Sequence, residues 1–494
     1  MSAFVKFPVL TPEEAIGFIK NGDTVAFSGF SPAGAAKAIP TALAAHARKE
    51  HENGRPFKIR AITGASSGVE IEEEMAKAEA ISWRTPYQSG SELRRQINAQ
   101  SVEYLDMHLS HLSQIMLEGF LGDIDLAVIE ATEITQDGRV YLSTSIGASP
   151  TFLQAADKVI IEINTYHSQR LREMADIVIM PPPPRRSPIT ILDPISRIGV
   201  PYAVVDPEKV IGIVVHNKPD AIQGFTKANE VSEKIAEHIV DFLLNEMKSG
   251  RIPGDFLPLQ AGVGNIANSV LAAIGEHPDI PPFKMYSEVF QDSMADLMTE
   301  EKLLSASATS LTITQEKLKT VINNFDFFAR RIVLRPQEIS NHPGIIRRLG
   351  VIAINTGLEV DIYGNLNSSH LYGTDIVNGI GGSGEFTRNS YLSIFMVSSV
   401  AKNGKISAVV PMCPHIDNNE HSVQIVVTEQ GLADLRGLGP MQRAHQIIEK
   451  CAHPAYKDYL RKYIKDSKVG HIKHDLTKCF ELHNNLLKYG TMLP

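Results

Sequence analysis

The chain of 494 residues is short of cysteine, tryptophan and net charge. Its three cysteines, Cys413, Cys451 and Cys479, form no C-x-x-C pair. That excludes a disulfide framework and a thiolate zinc site, and it fits a reducing compartment. The net charge of −8 comes without a basic tract, which argues against nucleic acid as a partner. No apolar run approaches the length needed to span a membrane, so no membrane partner is expected. The N-terminal MSAFVKFPVLTPEEA lacks the apolar core of a signal peptide, and the expectation is a cytoplasmic protein. Two chemical motifs are also missing: there is no G-x-S-x-G elbow and no Walker-type phosphate loop.

What is present is ordinary globular composition, 43% hydrophobic and 21% charged, on a chain long enough for two large domains. TPEEAIGFIKNG has Thr11 as an N-cap, Glu13 and Glu14 in the first turn and Gly22 at its end, which predicts a short helix. DTVAFSGF reads as a buried strand, and SPAGAAKAIPTALAAHARKEHE as a loop opening into a helix. FKIRAITG, DIDLAVIEATEI, ADKVIIEIN, ADIVIM, YAVV and VIGIVV continue as strands. Short apolar runs alternating with helical stretches predict an α/β fold with a largely parallel sheet. The polar stretch 218–230 reads as a linker. It divides an N-terminal α/β domain, 1–217, from a C-terminal α/β domain, 231–494, that would carry Glu288. The second half repeats the pattern in PLQAGVGNIANSV, KMYSEVF, GVIAINTGLEVDIYGN, KISAVVPM and SVQIVVTEQG. Pro181–Pro184, followed by Arg185 and Arg186, reads as a rigid surface loop.

Three small-residue loops follow strands: GFSPAG (29–34), GVGNIAN (262–268) and NGIGGSGEF (378–386). Such loops bring backbone amides to a phosphate or an oxyanion, but each alone is also what a tight turn requires. GVGNIAN lacks the spacing and the acidic residue of a dinucleotide fingerprint. In KMYSEVFQDSM, Glu288 falls where a strand should end. It could be an ion-pair partner, a helix cap or a carboxylate nucleophile. A carboxylate attacking an acyl group forms a mixed anhydride, which suits exchange of one activated acyl group for another and is useless for cleaving an amide. Glu429, at a second strand end in VVTEQG, reads as a salt-bridge partner or as a group orienting a site. His415, Asp417 and His421 in PHIDNNEH have the look of a metal cluster, but no further ligands of matching spacing accompany them; a solvated turn and no metal is the expectation.

Taken in order, SGFSPAG, TGASSG, PLQAGVGNIANSV, YSEVFQDS, RPQEISNHPGIIRRLG, DIYGNLNSSH, NGIGGSGEF and TEQGLADLRGL resemble the class I coenzyme A transferases of the acetyl-CoA hydrolase/transferase family, from about residue 10 to the C-terminus. Within it, ISWRTPYQ, GDIDLAVIEA, PPPRRSP, IPPFKMYSEV and GHIKHDL are most similar to the propionyl-CoA:succinate CoA-transferases, and next to the succinyl-CoA:acetate CoA-transferases. The resemblance implies two open α/β domains with the active site between them, and a homodimer. It implies no permanently bound cofactor, with coenzyme A as a substrate beside short-chain carboxylates. The family's catalytic glutamate falls on Glu288 and its oxyanion-hole amides on Asn341 and Gly382, while Glu429 matches a supporting glutamate. The family's CoA contacts fall on Gln260, Ala261, Gly262, Val263, Gly264, Asn378, Gly382 and Lys402. The chain departs from the usual pattern at Ala35 and Ala36 before Lys37, where Tyr-Pro or Ser-Pro is common, and at Ala261, where serine is common. The resemblance thus implies CoA transfer among succinate, propionate and acetate through a Glu288 anhydride and a Glu288–CoA thioester. The same residues would serve an acyl-CoA hydrolase, and a non-catalytic CoA-binding protein is a third reading.

Overall fold

The computed structural model describes residues 7–224 and 229–493. By their contacts the residues form two compact units, and neither is a single stretch of chain. The first comprises Met1–Gly224, Met285–Thr299 and Leu304–Ile345; the second comprises Phe225–Lys284, Glu300–Leu303 and Ile346–Pro494. The sequence reading divides the chain once, near 218–230, and so assigns Glu288 to the C-terminal part. In the structure the segment carrying Glu288 packs with the N-terminal residues. Order along the chain does not dictate which apolar surfaces meet.

The first unit is built on a parallel sheet. Its strands are β1 (Thr24–Phe27), β2 (Ile59–Thr63), β3 (Ile81–Thr85), β4 (Glu103–Tyr104), β5 (Leu126–Ile134), β6 (Arg139–Leu142), β7 (Lys158–Asn164), β8 (Ala203–Val204) and β9 (Val210–His216). The order β4-β3-β2-β1-β5-β7-β9 is parallel throughout. β6 and β8 extend the far end of β5 as an antiparallel flap. β1 is buried at every position, as a strand covered on both faces must be, which is why DTVAF reads as an apolar run without alternation. The chain order reverses between β1 and β5, and the first small-residue loop leaves β1 at that point before helix Ala38–Glu52. Open α/β sheets place their ligand crevices at such reversals. Beneath the sheet, Ile39, Leu43, Ala44 and Ala47 of this helix pack on Val25, Phe27, Ile59 and Val128.

The later part of this unit pairs Leu303–Ala308 with Ile332–Leu334, and Val289–Phe290 with Ser310–Leu311, both in parallel.

In the second unit, strands Leu259–Ala261, Ile352–Thr356, Leu392–Met396 and Ile425–Thr428 are parallel neighbours in that order, and Gly431–Asp434 closes one edge as a hairpin. Helix Glu230–Lys248 begins with a capping box, Ser232 N donating to Asn229 Oδ1 and Asn229 N to Ser232 Oγ, each at 2.9 Å. Its core unites Val360, Phe395, Val426, Ile447, Tyr456 and Leu482. No described helix is long and apolar enough to cross a membrane.

Several local expectations change. Thr11 does cap a helix, but it spans only Pro12–Ile16, ends at Gly17 and does not reach Gly22. ADIVIM forms isolated bridges at Ala175 and Ile177 and no regular strand, because the prolines that follow supply no N–H groups to continue a ladder. Pro181–Pro184 and both arginines are exposed, as expected of a surface loop. The expected linker 218–230 partly lies outside the described residues. Its described portion before Gly224 has no regular structure, yet Asp220 within it is buried.

Candidate functional site

Glu288 sits in a bend between strand Phe283–Tyr286 and strand Val289–Phe290. The backbone around it is held closely. Ser287 N donates to Ser307 O at 2.9 Å, and Thr309 N donates to Glu288 O at 2.7 Å. Tyr286, fully buried, donates its hydroxyl to Ile339 O. The Glu288 carboxylate accepts one hydrogen bond, from Asn341 Nδ2 to Oε1 at 2.8 Å. Among the described residues it has no cationic partner, which removes the ion-pair reading, and it caps no helix. Burial pushes its carboxyl up to about 7, against the opposing pull of the Asn341 amide. A carboxylate with one donor, no counter-ion and depleted hydration is more nucleophilic than one in water.

Asn341 follows the short helix Gln337–Ser340 and is fully buried. Its main-chain N–H donates to Gln337 O at 2.9 Å. The donor it turns to Glu288 is therefore the side-chain amide, a distinction the sequence motif ISNHP does not reveal. Val289, beside the carboxylate, packs in a small apolar cluster with Phe30 of the first loop, Ala65 of TGASSG and Leu109, and Tyr87 lies against it. The structure thus brings GFSPAG and TGASSG to the Glu288 segment.

The remaining candidates are on the second unit. Gly262, Val263 and Gly264 lead from strand Leu259–Ala261 into helix Asn265–Glu276. Gly264, with φ of +127° and nothing near an added Cβ, caps that helix in a conformation that disfavours side chains. Val263 is exposed at the tip. Gln260 and Ala261 are buried in the strand. Gln260 exchanges amide hydrogen bonds with Asn355 of the next strand at 3.1 and 3.2 Å, so its side chain braces the sheet. Gly382 caps helix Ser383–Asn389, and Asn378 Oδ1 accepts from Gly379 N at 2.8 Å within the same loop.

Glu429, just past Ile425–Thr428, accepts from Ser399 N at 2.9 Å and from Ser399 Oγ, and Gln430 Nε2 adds a third donor at 3.1 Å. Burial works against its charge, but these donors outweigh it and hold its carboxyl below the ordinary range. It is an anchor for the Ser399 turn. That turn enters the hairpin of Val400–Ala401 and Ile406–Ser407, whose tip presents exposed Lys402 with Nζ 3.4 Å from Tyr372 Oη.

Among the described residues, two groups of side chains have the donor atoms of a metal site. One joins His415 and Asp417 to His370; His421 is not part of it. The His370 and His415 rings stack at 3.8 Å, and Asp417 also accepts from Ser369 Oγ at 2.7 Å. The other is Glu130, His167 and Asp220, buried in the first unit, where Lys37 Nζ already lies 2.5 Å from Glu130 and 2.8 Å from Asp220.

The chain is similar to known proteins along nearly its whole length. Residues 6–215 match the model of the acetyl-CoA hydrolase/transferase N-terminal domain, and residues 317–464 match that of the C-terminal domain. The chain is 54% identical to the propanoyl-CoA:succinate CoA transferase of Escherichia coli, over 98% of each chain. It is 46% identical to the succinyl-CoA:acetate CoA-transferase of Clostridium kluyveri, over 98% of this chain and 90% of that one. The crystal structure of RipA from Yersinia pestis superposes with a TM-score of 0.72 over 94% of this chain and 99% of that one; at 22% identity the likeness concerns the fold. Two domain matches in order, and relatives that align from end to end, show that the chain belongs to the acetyl-CoA hydrolase/transferase family.

Proposed function

We propose that the protein is a CoA-transferase that moves coenzyme A between a short-chain acyl-CoA and a free carboxylate, with Glu288 as the nucleophile. Succinate, propionate and acetate are the carboxylates in view, following the names of the two transferase relatives. The observation that carries the reading is the state of Glu288: a carboxylate in a backbone bend, short of water, without a cation and facing a single amide donor.

The chemistry follows from these groups. The Glu288 carboxylate attacks the thioester carbonyl of the acyl-CoA, forming an acyl-glutamyl anhydride and releasing CoA as thiolate. The thiolate attacks the glutamyl carbonyl of the anhydride, expelling the first carboxylate and leaving a Glu288–CoA thioester. A second carboxylate attacks that thioester, and the liberated thiolate takes the new acyl group and frees Glu288. Each bond broken is replaced by one of similar energy, so the cycle balances with no resident cofactor. Its barrier lies in the tetrahedral oxyanions, where one well-placed donor is worth roughly 3 kcal/mol. The Asn341 side-chain amide and the Gly382 amide are assigned that task. Gly262, Val263 and Gly264, with Asn378 and Lys402, are assigned to CoA, and Gln260, Ala261 and Glu429 to holding those loops. Phe30, Ala65, Leu109 and Val289, the last next to Glu288 in the chain, form a buried apolar cluster, which we assign to the acyl end of the substrate. Three buried, unpaired cysteines support a cytoplasmic setting, and the family resemblance supports a homodimer.

The test is a product assay with succinyl-CoA, with and without propionate or acetate, following each CoA species by liquid chromatography. Propionyl-CoA or acetyl-CoA formed only with its acceptor is expected, and Glu288→Ala should abolish it while still binding CoA. Free CoA released at one rate with or without acceptor would instead establish a hydrolase. Full turnover by Glu288→Ala would remove the nucleophile.

A further inference from the structure

A group of buried charges under the first loop has no part in the chemistry above. Glu130 on β5 and Glu162 on β7 are direct partners in the parallel register, on strands buried on both sides. Two carboxylates in that position repel each other and lose hydration, a cost that apolar side chains would not incur. Asp220 adds a third buried carboxylate. Three potential cations face them. Lys37 Nζ lies 2.5 Å from Glu130 and 2.8 Å from Asp220, His216 Nε2 lies 3.1 Å from Glu162, and His167 Nε2 lies 3.5 Å from Asp220 and 3.7 Å from Glu130. Glu70 also interacts electrostatically with Lys37, and with Glu74 and Lys218.

The hydrogen bonds leaving this cluster have a direction. Glu162 accepts from the N–H groups of Lys37, Ala38 and Ile39 and so caps helix Ala38–Glu52. Asp220 accepts from Gly34 N at 3.2 Å and from Thr144 Oγ1, and Glu130 accepts from Ser143 Oγ at 2.6 Å. Gly34, at φ of +60°, lies so close to Ser145 that a Cβ there would sit 2.5 Å from Ser145 Oγ. The segment 143–147 in turn holds the strand next to Glu288. Leu311 N donates to Thr144 O at 2.8 Å, Ile146 N to Thr309 O at 2.9 Å, and Gly147 N to Thr309 Oγ1 at 3.0 Å. Thr309 N then donates to Glu288 O.

We propose that Lys37, Glu130, Asp220 and His167 are positioning residues for Glu288: they fix the strap 143–147, which fixes the backbone from which the carboxylate projects. This rests on Glu288 being the nucleophile. A site displaced by about 1 Å can lose on the order of a hundredfold in rate, so loosening the strap should be read in kcat. CoA affinity should be spared, because the loops assigned to CoA belong to the other unit.

Two variants of the full chain test it. Thr144→Val removes one link from the strap to the cluster and leaves every charge in place; Lys37→Met removes the central cation. Steady-state kinetics and amide hydrogen exchange would be measured on both. Expected are a loss in kcat of roughly tenfold or more, a KM for acyl-CoA within about twofold of the parent, and faster exchange at Ile146, Gly147 and Leu311. If Lys37→Met fails to fold, Thr144→Val alone decides. Unchanged exchange at 309–311, or lowered thermal stability with kcat per folded molecule unchanged, would overturn the proposal. Should Glu288→Ala retain activity, the nucleophile assignment falls, and the exchange measurement still decides whether the cluster holds the strap.

Discussion

Glu288→Gln separates the electrostatic state of the carboxylate from its chemistry. The folded protein raises this carboxyl from 4.5 to about 7, with burial as the main cause. Each unit corresponds to about 1.4 kcal/mol, so ionised Glu288 costs the fold roughly 2–3 kcal/mol, taken at the low side because the side chain keeps some contact with solvent. The sign follows from the order of the two values. Below the unfolded value the group is protonated in both states and costs nothing. As pH rises from about 4.5 to about 7 the unfolded chain ionises first, and above that range the whole penalty is present. Glutamine cannot ionise and still offers Oε1 to Asn341. The variant should match the parent's stability at the acid end and exceed it by about 2–3 kcal/mol on the alkaline side. Urea unfolding of both proteins at the two ends of the range measures the difference, and the variant should show no transfer at either. A stability difference that does not change with pH, or a variant less stable at alkaline pH, would refute a desolvated carboxylate. In the parent, kcat/KM for acyl-CoA should fall as pH drops through about 7, since only the ionised form attacks.

Two further outcomes test the groups around it. Asn341→Ala removes the one donor that lowers the Glu288 value, so the acid limb of the rate profile should move upward while kcat falls on the order of a hundredfold or more; an unmoved limb would mean that the amide does not act on the carboxylate. Glu429→Ala leaves Ser399 N and Oγ without their acceptor, which should cost about 1–3 kcal/mol of stability. It should also raise the KM for acyl-CoA several-fold through the loosened Lys402 hairpin, whereas a change in kcat alone would place Glu429 in the chemistry.

Much of this site was legible because the signals are local. A buried parallel strand must be apolar on both faces, so DTVAF and KVIIEIN stand out. A strand that turns into a helix with φ of +127° needs glycine, so Gly264 marks its loop. A glutamate between two short strands marks a bend. The less legible features depend on partners far away in sequence. His370 joins His415 and Asp417 across about 45 residues, while His421, only four residues from Asp417, does not. VIEATEI shows two acids, Glu130 and Glu133, inside an apolar run, but nothing in it shows that Glu130 will lie beside Glu162 and Lys37. ISNHP marks Asn341 but not which of its two amides faces the carboxylate, because a local helix turn had to use the main-chain N–H first.

By itself, then, the sequence determined the α/β class and the family, since these rest on periodicity, on turn residues and on long ordered motifs. Tertiary structure alone decided that Glu288 packs with the N-terminal unit, that Asn341 serves it through a side chain, and that three buried carboxylates and Lys37 share one site. The physical reason is that desolvation and ion pairing are set by all the atoms around a group. Most of those atoms are brought in from distant parts of the chain, and only folding assembles them.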